Sequence, residues 1–159
     1  MYITKLTLDK IRCFDHLEID FTKNGQSLLL IGDNGEGKST VLKSIAIGLS
    51  DESSASALFR ELDGEFVKRE KERRFAKEKS KGTITIELAG VKNKKYKIKT
   101  SIISTETFET VNQKKGLWEK VKGKWELINE QADFPWKNIF ISGYGAGSRT
   151  SGTEDFQHY

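Results

Sequence analysis

The chain has 159 residues, 27 Lys and Arg against 23 Asp and Glu, a formal net charge of +4 and 31% charged residues. That is enough for one domain with a real core and short for a two-lobed assembly, so one lobe of something larger is expected, and the mild positive balance permits nucleic-acid contact without arguing for it. A single cysteine, Cys13, excludes an internal disulfide, and His16 and His158 lie too far apart in sequence to suggest a zinc site. No stretch approaches the ~20 apolar residues of a membrane span, and the N-terminus lacks the apolar core of a signal peptide, so a cytoplasmic protein is expected.

In chain order, Tyr2 to Phe21 alternates, with Leu6 and Leu8 on one face and Leu17, Ile19 and Phe21 repeating the period. Two strands joined near Arg12 to Asp15 follow from this pattern. Asn24-Gly25 marks a turn, and Ser27 to Ile31 reads as a buried strand. A helix is predicted over Val41 to Leu49. Asp51 to Lys79 also reads as helix, from Leu58, Leu62 and Phe66 at four-residue spacing; the charged helical segment as a whole spans residues 52–82, and its charge-laced stretch Lys68 to Arg74 reads as a solvated face, with a nucleic-acid or partner contact as the alternative. From Thr83 the period becomes two, through Ile84, Ile86 and Leu88 and then Tyr96, Ile98, Thr100 and Ile102. Short strands are expected around Phe108 to Val111, Leu117 to Val121 and Trp125 to Ile128, giving an antiparallel meander over 83–128. Trp118 and Trp125 flank the turn at Lys122 to Lys124 and read as a cross-strand pair rather than a base-stacking platform. Beyond Pro135, Asn138 to Ser142 reads as a further strand, and 143–159 as a flexible glycine-rich tail in which Arg149 could meet phosphate or a neighbouring subunit.

Between the apolar run Leu28 to Ile31 and the helix lies Gly32-Asp33-Asn34-Gly35-Glu36-Gly37-Lys38-Ser39, which fits G-x-x-x-x-G-K-[ST]. Glycines let such a loop curl until its amides point at phosphate oxygens, and the helix that follows presents its positive end to the same anion. Lys38, the one candidate catalytic residue, is expected to reach the β- and γ-phosphates, and the Ser39 hydroxyl to ligate Mg²⁺. Hydrolysis further needs a carboxylate near the metal and a group that orients water. The nearest acidic candidate, Ala46 to Glu52, belongs to the helix after the loop and runs away from the nucleotide, and no Leu-Ser-Gly-Gly-like signature is present. Asn93-Lys94-Lys95-Tyr96 lacks the aspartate that reads guanine, which argues for ATP over GTP. The chain is therefore expected to bind nucleotide better than it hydrolyses it.

Two stretches carry a family resemblance. Ile3 to Phe14, continuing through Leu17 to Phe21, resembles the start of SMC, RecF and related DNA-repair ATPase heads, and Gly32 to Thr40 resembles their Gly-x-Asn-Gly-x-Gly-Lys-Ser-Thr loop. The Gly-Tyr-Gly-Ala stretch from Gly143, followed by arginine, is similar instead to bacterial AAA-type and OLD-like defence ATPases. The resemblance implies an α/β fold, the N-terminal lobe of a P-loop NTPase head of the ABC and SMC type, with a mixed sheet, an antiparallel β meander and the remaining strands in a later part of a longer chain. It implies Arg12 beside the phosphates or ribose, and Asn34, Gly35, Glu36, Gly37, Lys38, Ser39 and Thr40 as the cofactor-binding set for ATP with Mg²⁺. It also implies a homodimer through the heads, and DNA and a nuclease as partners, in repair, recombination or phage defence. The competing readings are a nucleotide- or partner-binding module without turnover, and the nucleotide-binding subunit of a transporter.

Overall fold

A computed structural model of the chain describes residues 1–21, 28–33, 35–61, 66–68, 80–104, 109–111 and 114–142. Its centre is one sheet. Strands β1 (Tyr2–Ile11) and β2 (Phe14–Asp20) form a hairpin, β3 (Ser80–Ala89) and β4 (Lys95–Ser104) form a long second one, and β5 (Glu109–Val111), β6 (Gly116–Val121) and β7 (Lys124–Leu127) complete it. The strand order is β2-β1-β3-β4-β6-β7, with β5 also on β4. Two helices, α1 (Lys38–Leu49) and α2 (Glu52–Glu61), belong to the same unit. Among the described residues no helix is long and apolar enough to cross a membrane.

Alternation places the core. Leu6, Leu8 and Ile11 of β1 join Ile84, Ile86 and Leu88 of β3 and Tyr96, Ile98 and Ile102 of β4 on one face, each with at most 8% exposure. Val41, Ile47 and Leu49 of α1 and Ala55 and Phe59 of α2 belong to the same buried cluster. The approach of α1 is close: a Cβ on Gly48 would stand 2.5 Å from Ile86 Cδ1 and 3.1 Å from Ile84 Cγ2. Glycine at this position thus lets the helix lie directly on the sheet.

The strands at both ends of the meander and the N-terminal hairpin match the alternation that suggested them. Three elements differ. Residues 28–33 form no strand, and Leu29 and Ile31 are 80% and 85% exposed, because no described strand pairs with this run. Every pairing among the described residues is antiparallel. The helix expected to Lys79 ends at Glu61. Phe66 is fully buried and stacks on Phe59 at 5.4 Å, and Val67 bridges Ile11. The backbone bonds of this piece go sideways instead of along a helix: Arg12 N–H donates to Phe66 O at 2.7 Å and Lys68 N–H to Lys10 O at 2.9 Å. Likewise 136–138 is a 3-10 turn and 139–142 is not a strand. Leu62, Gly64, the charged run 69–79 and the glycine-rich tail 143–159, with Arg149, lie outside the described residues.

The two meander tryptophans are not directly opposed. Trp118 faces Leu127 and Trp125 faces Lys120, because the register of β6 on β7 is set by the two-residue turn Lys122-Gly123. Trp125 instead carries ammonium groups, Lys97 Nζ at 4.2 Å and Lys120 Nζ at 5.5 Å from its ring centre.

Candidate functional site

The phosphate loop opens into α1. Gly35 and Gly37 take φ of +96° and +94°, a region closed to most L-residues, and Gly37 stands at the N-cap of the helix. Gly37 has a second reason to lack a side chain. A Cβ there would lie 2.5 Å from Phe14 Cζ and 2.7 Å from Cys13 Sγ, so the turn between β1 and β2 packs on the loop itself.

A cavity of about 460 Å³ lies at this junction, lined by Arg12, Cys13, Gly35, Gly37, Lys38, Ser39 and Thr40. Arg12 and Lys10 hold positive φ, 47° and 54°, as non-glycine residues, so the turn that delivers Arg12 to the cavity is held against its own preference. What holds it is visible. Residues 66–68 bond to this turn, and Glu109 of β5 accepts from the amides of Phe66 at 2.5 Å and Val67 at 3.2 Å. Lys10 and Lys68 both bind Asp15, which holds that carboxyl down at about 2.

Within the loop, Lys38 Nζ donates to Gly32 O at 2.5 Å and Asp33 O at 2.6 Å. Its charge therefore lies across the loop, beside the amides that begin α1. Glu36 does not line the cavity; its carboxylate accepts the Asp33 N–H at 2.8 Å and braces the loop internally. Asn34 lies outside the described residues. The structure thus brings Arg12, Gly35, Gly37, Lys38, Ser39 and Thr40 to one cavity and turns the Glu36 side chain to the loop.

This arrangement fits a polyphosphate. Gly37 leaves room where a side chain would intrude, Gly35 allows the left-handed turn beside it, the helix begins at the cavity, and an ammonium and a guanidinium provide counter-charge. Ser39 and Thr40, at the second and third helical positions, both bring hydroxyls to the cavity lining. Among the described residues no group of three or more His, Cys, Asp or Glu side chains could hold a metal ion.

Two contributors were not foreseen from the sequence. Cys13, the chain's one thiol, owes its place in the cavity wall to adjacency to Arg12 in the turn. Glu109 shows no sequence signal, since its role depends on a segment more than forty residues earlier.

Comparison with known proteins gives a family. An AAA domain model matches residues 5–144. Over 45 residues the chain is 47% identical to the DNA replication and repair protein RecF of Clostridium acetobutylicum, a stretch that is 28% of this chain and 12% of that protein. The fold is similar to a solved SMC ATPase structure from work on ATP-driven dimerization and DNA-stimulated activation, with a TM-score of 0.50 at 16% identity, covering 83% of this chain and 74% of the other. The chain belongs to the AAA domain family, and its fold is similar to that of an SMC ATPase.

Proposed function

We propose that the chain is the ATP-binding lobe of an ATPase that couples nucleotide binding and hydrolysis to DNA repair or recombination. The observation that carries this reading is the glycine-built phosphate loop at the start of α1, opening with Lys38 and Arg12 on one cavity. Arg12, Gly35, Gly37, Lys38, Ser39 and Thr40 are the residues proposed to hold ATP and Mg²⁺, with Ser39 on the metal. RecF similarity over the 45-residue stretch favours a repair role over phage defence. ATP binding by the chain, measured with a fluorescent analogue and Mg²⁺, is expected without phosphate release at ordinary ATPase rates, because the sequence holds no second acidic motif. Rapid release would overturn the account of the chemistry, and absence of binding would overturn the site.

The DNA side of the reading is supported by the face of the sheet opposite the core. Lys95, Lys97 and Lys99 of β4 alternate onto it, and Lys97 pairs across to Trp118 while Lys120 pairs to Trp125. Glu87 neutralises part of this charge through Lys97 at 3.4 Å. Lysines in a row on a sheet match a phosphate backbone in charge and carry no base readout. Reversing Lys97 and Lys120 together to Glu is expected to weaken duplex binding at least ~tenfold near 0.1 M salt and to reduce the salt slope by about 2, read by anisotropy across a salt series. An unchanged slope would remove this face from the DNA contact.

A further inference from the structure

Lys115, just before β6, is 2% exposed. Its ammonium donates to Ile47 O at 2.7 Å, Gly48 O at 3.1 Å and Ser50 O at 2.5 Å. These carbonyls lie at the C-terminal end of α1, where four acceptors have no partner within the helix and the helix dipole favours a cation. The same residue is fixed from other sides. Its N–H donates to Glu52 Oε1 of α2 at 3.1 Å, its carbonyl accepts from the Gln131 amide at 2.9 Å, and the Trp136 ring lies 5.8 Å from the ammonium.

Apolar contacts hold α1 on the sheet, yet they are non-directional and resist sliding along the helix axis poorly. Three directed bonds to one end resist it well. A helix of 12 residues is about 18 Å of rigid rod, so a shift at the Lys115 end is a shift at the phosphate end. We propose that Lys115 is a positioning residue of the nucleotide site, fixing through the C-terminal carbonyls of α1 where that helix presents Lys38, Ser39 and Thr40; this rests on the ATP reading above.

The clamp is sensitive to protonation. Burial brings the Lys115 ammonium down from 10.5 to about 7, while the carboxylates of Asp51 and Glu52, at the start of α2, pull it back up. A neutral amine donates two bonds where the ammonium donates three. The clamp is therefore complete below about 7 and weakens as pH rises through it. Linkage gives folding stability the opposite slope: between about 7 and 10.5 the unfolded chain holds a proton the folded chain has released, so stability rises with pH there.

The test is fluorescent ATP binding by wild type, Lys115→Met and Lys115→Arg from about pH 6 to pH 8.5, with melting curves alongside. Titration of ATP itself is common to all three and cancels in the ratios. Lys115→Met is expected to bind about fivefold more weakly at low pH, with the gap closing as pH rises, while the guanidinium of Lys115→Arg gives no step near neutrality. Wild-type affinity falling while wild-type stability rises is a signature that general loosening would not give. A folded Lys115→Met that matches wild type at every pH overturns the proposal. If that variant does not fold, a wild-type to Lys115→Arg ratio that stays flat overturns it. Wild type that binds no ATP at any pH removes the ATP reading, and the proposal with it.

Discussion

Lys38→Ala is expected to weaken ATP binding by ~1.5–3 kcal/mol, about ten- to a hundredfold. Two losses combine. The variant removes the ammonium from the cavity, and it leaves Gly32 O and Asp33 O without the donor that now ties the loop together. Both acceptors are exposed to solvent, so water replaces the lost bonds and the melting temperature is expected to change little. A fluorescent-ATP titration beside a melting curve separates the two effects. Equal affinity in wild type and variant would dismantle the site. Arg12→Ala serves as the graded control, expected to cost less because its guanidinium is one of several groups on the cavity wall.

Gly37→Ala should be the more damaging change, although it adds a single carbon. The new Cβ would stand 2.5 Å from Phe14 Cζ and 2.7 Å from Cys13 Sγ, at a φ of +94°. The left-handed backbone alone costs roughly 1–2 kcal/mol for an L-residue. The contact adds to that, since the ring and sulfur sit on the turn that also carries Arg12. Relief requires the loop to leave the β1–β2 turn, which opens the cavity from both sides. ATP binding is expected to fall at least ~hundredfold, with a drop of ~2–8 °C in melting temperature from the backbone cost. Gly35→Ala is the internal comparison: its φ is +96°, but nothing lies within 4 Å of a Cβ there. It should share the stability loss and keep more of the affinity. Equal losses of affinity in the two variants would show that backbone conformation, and not the packing of Phe14 and Cys13, sets the shape of the site.

The parts legible in the sequence are those governed by neighbours in the chain. Alternation gave β1, β2, β3 and β4 because each has one face on the core and one toward solvent, and the loop motif gave α1 because glycines and a helix start are local devices. Where distant partners decide, local pattern misleads. Leu28 to Ile31 is as apolar as a buried strand, but a strand exists through its ladder, and this run has no ladder among the described residues. Leu58, Leu62 and Phe66 have helical spacing, yet Glu109 takes the amides of Phe66 and Val67 and draws the chain out of the helix. Lys115 stands beside Lys114, and the local sequence carries no signal that its side chain is buried. Only the open end of α1, far away in sequence, gives a buried ammonium something to hold.

The bracing of the Arg12 turn bears on how the protein is made. Arg12 leaves the ribosome early, but the residues that lock its backbone, 66–68, are themselves secured by Glu109. β1 likewise acquires its inner neighbour only when β3 arrives, some seventy residues later. During synthesis the phosphate loop and its helix can form while the wall opposite is still loose. The pocket is therefore expected to mature from its floor to its wall, the Arg12 side being secured only after β5 has emerged.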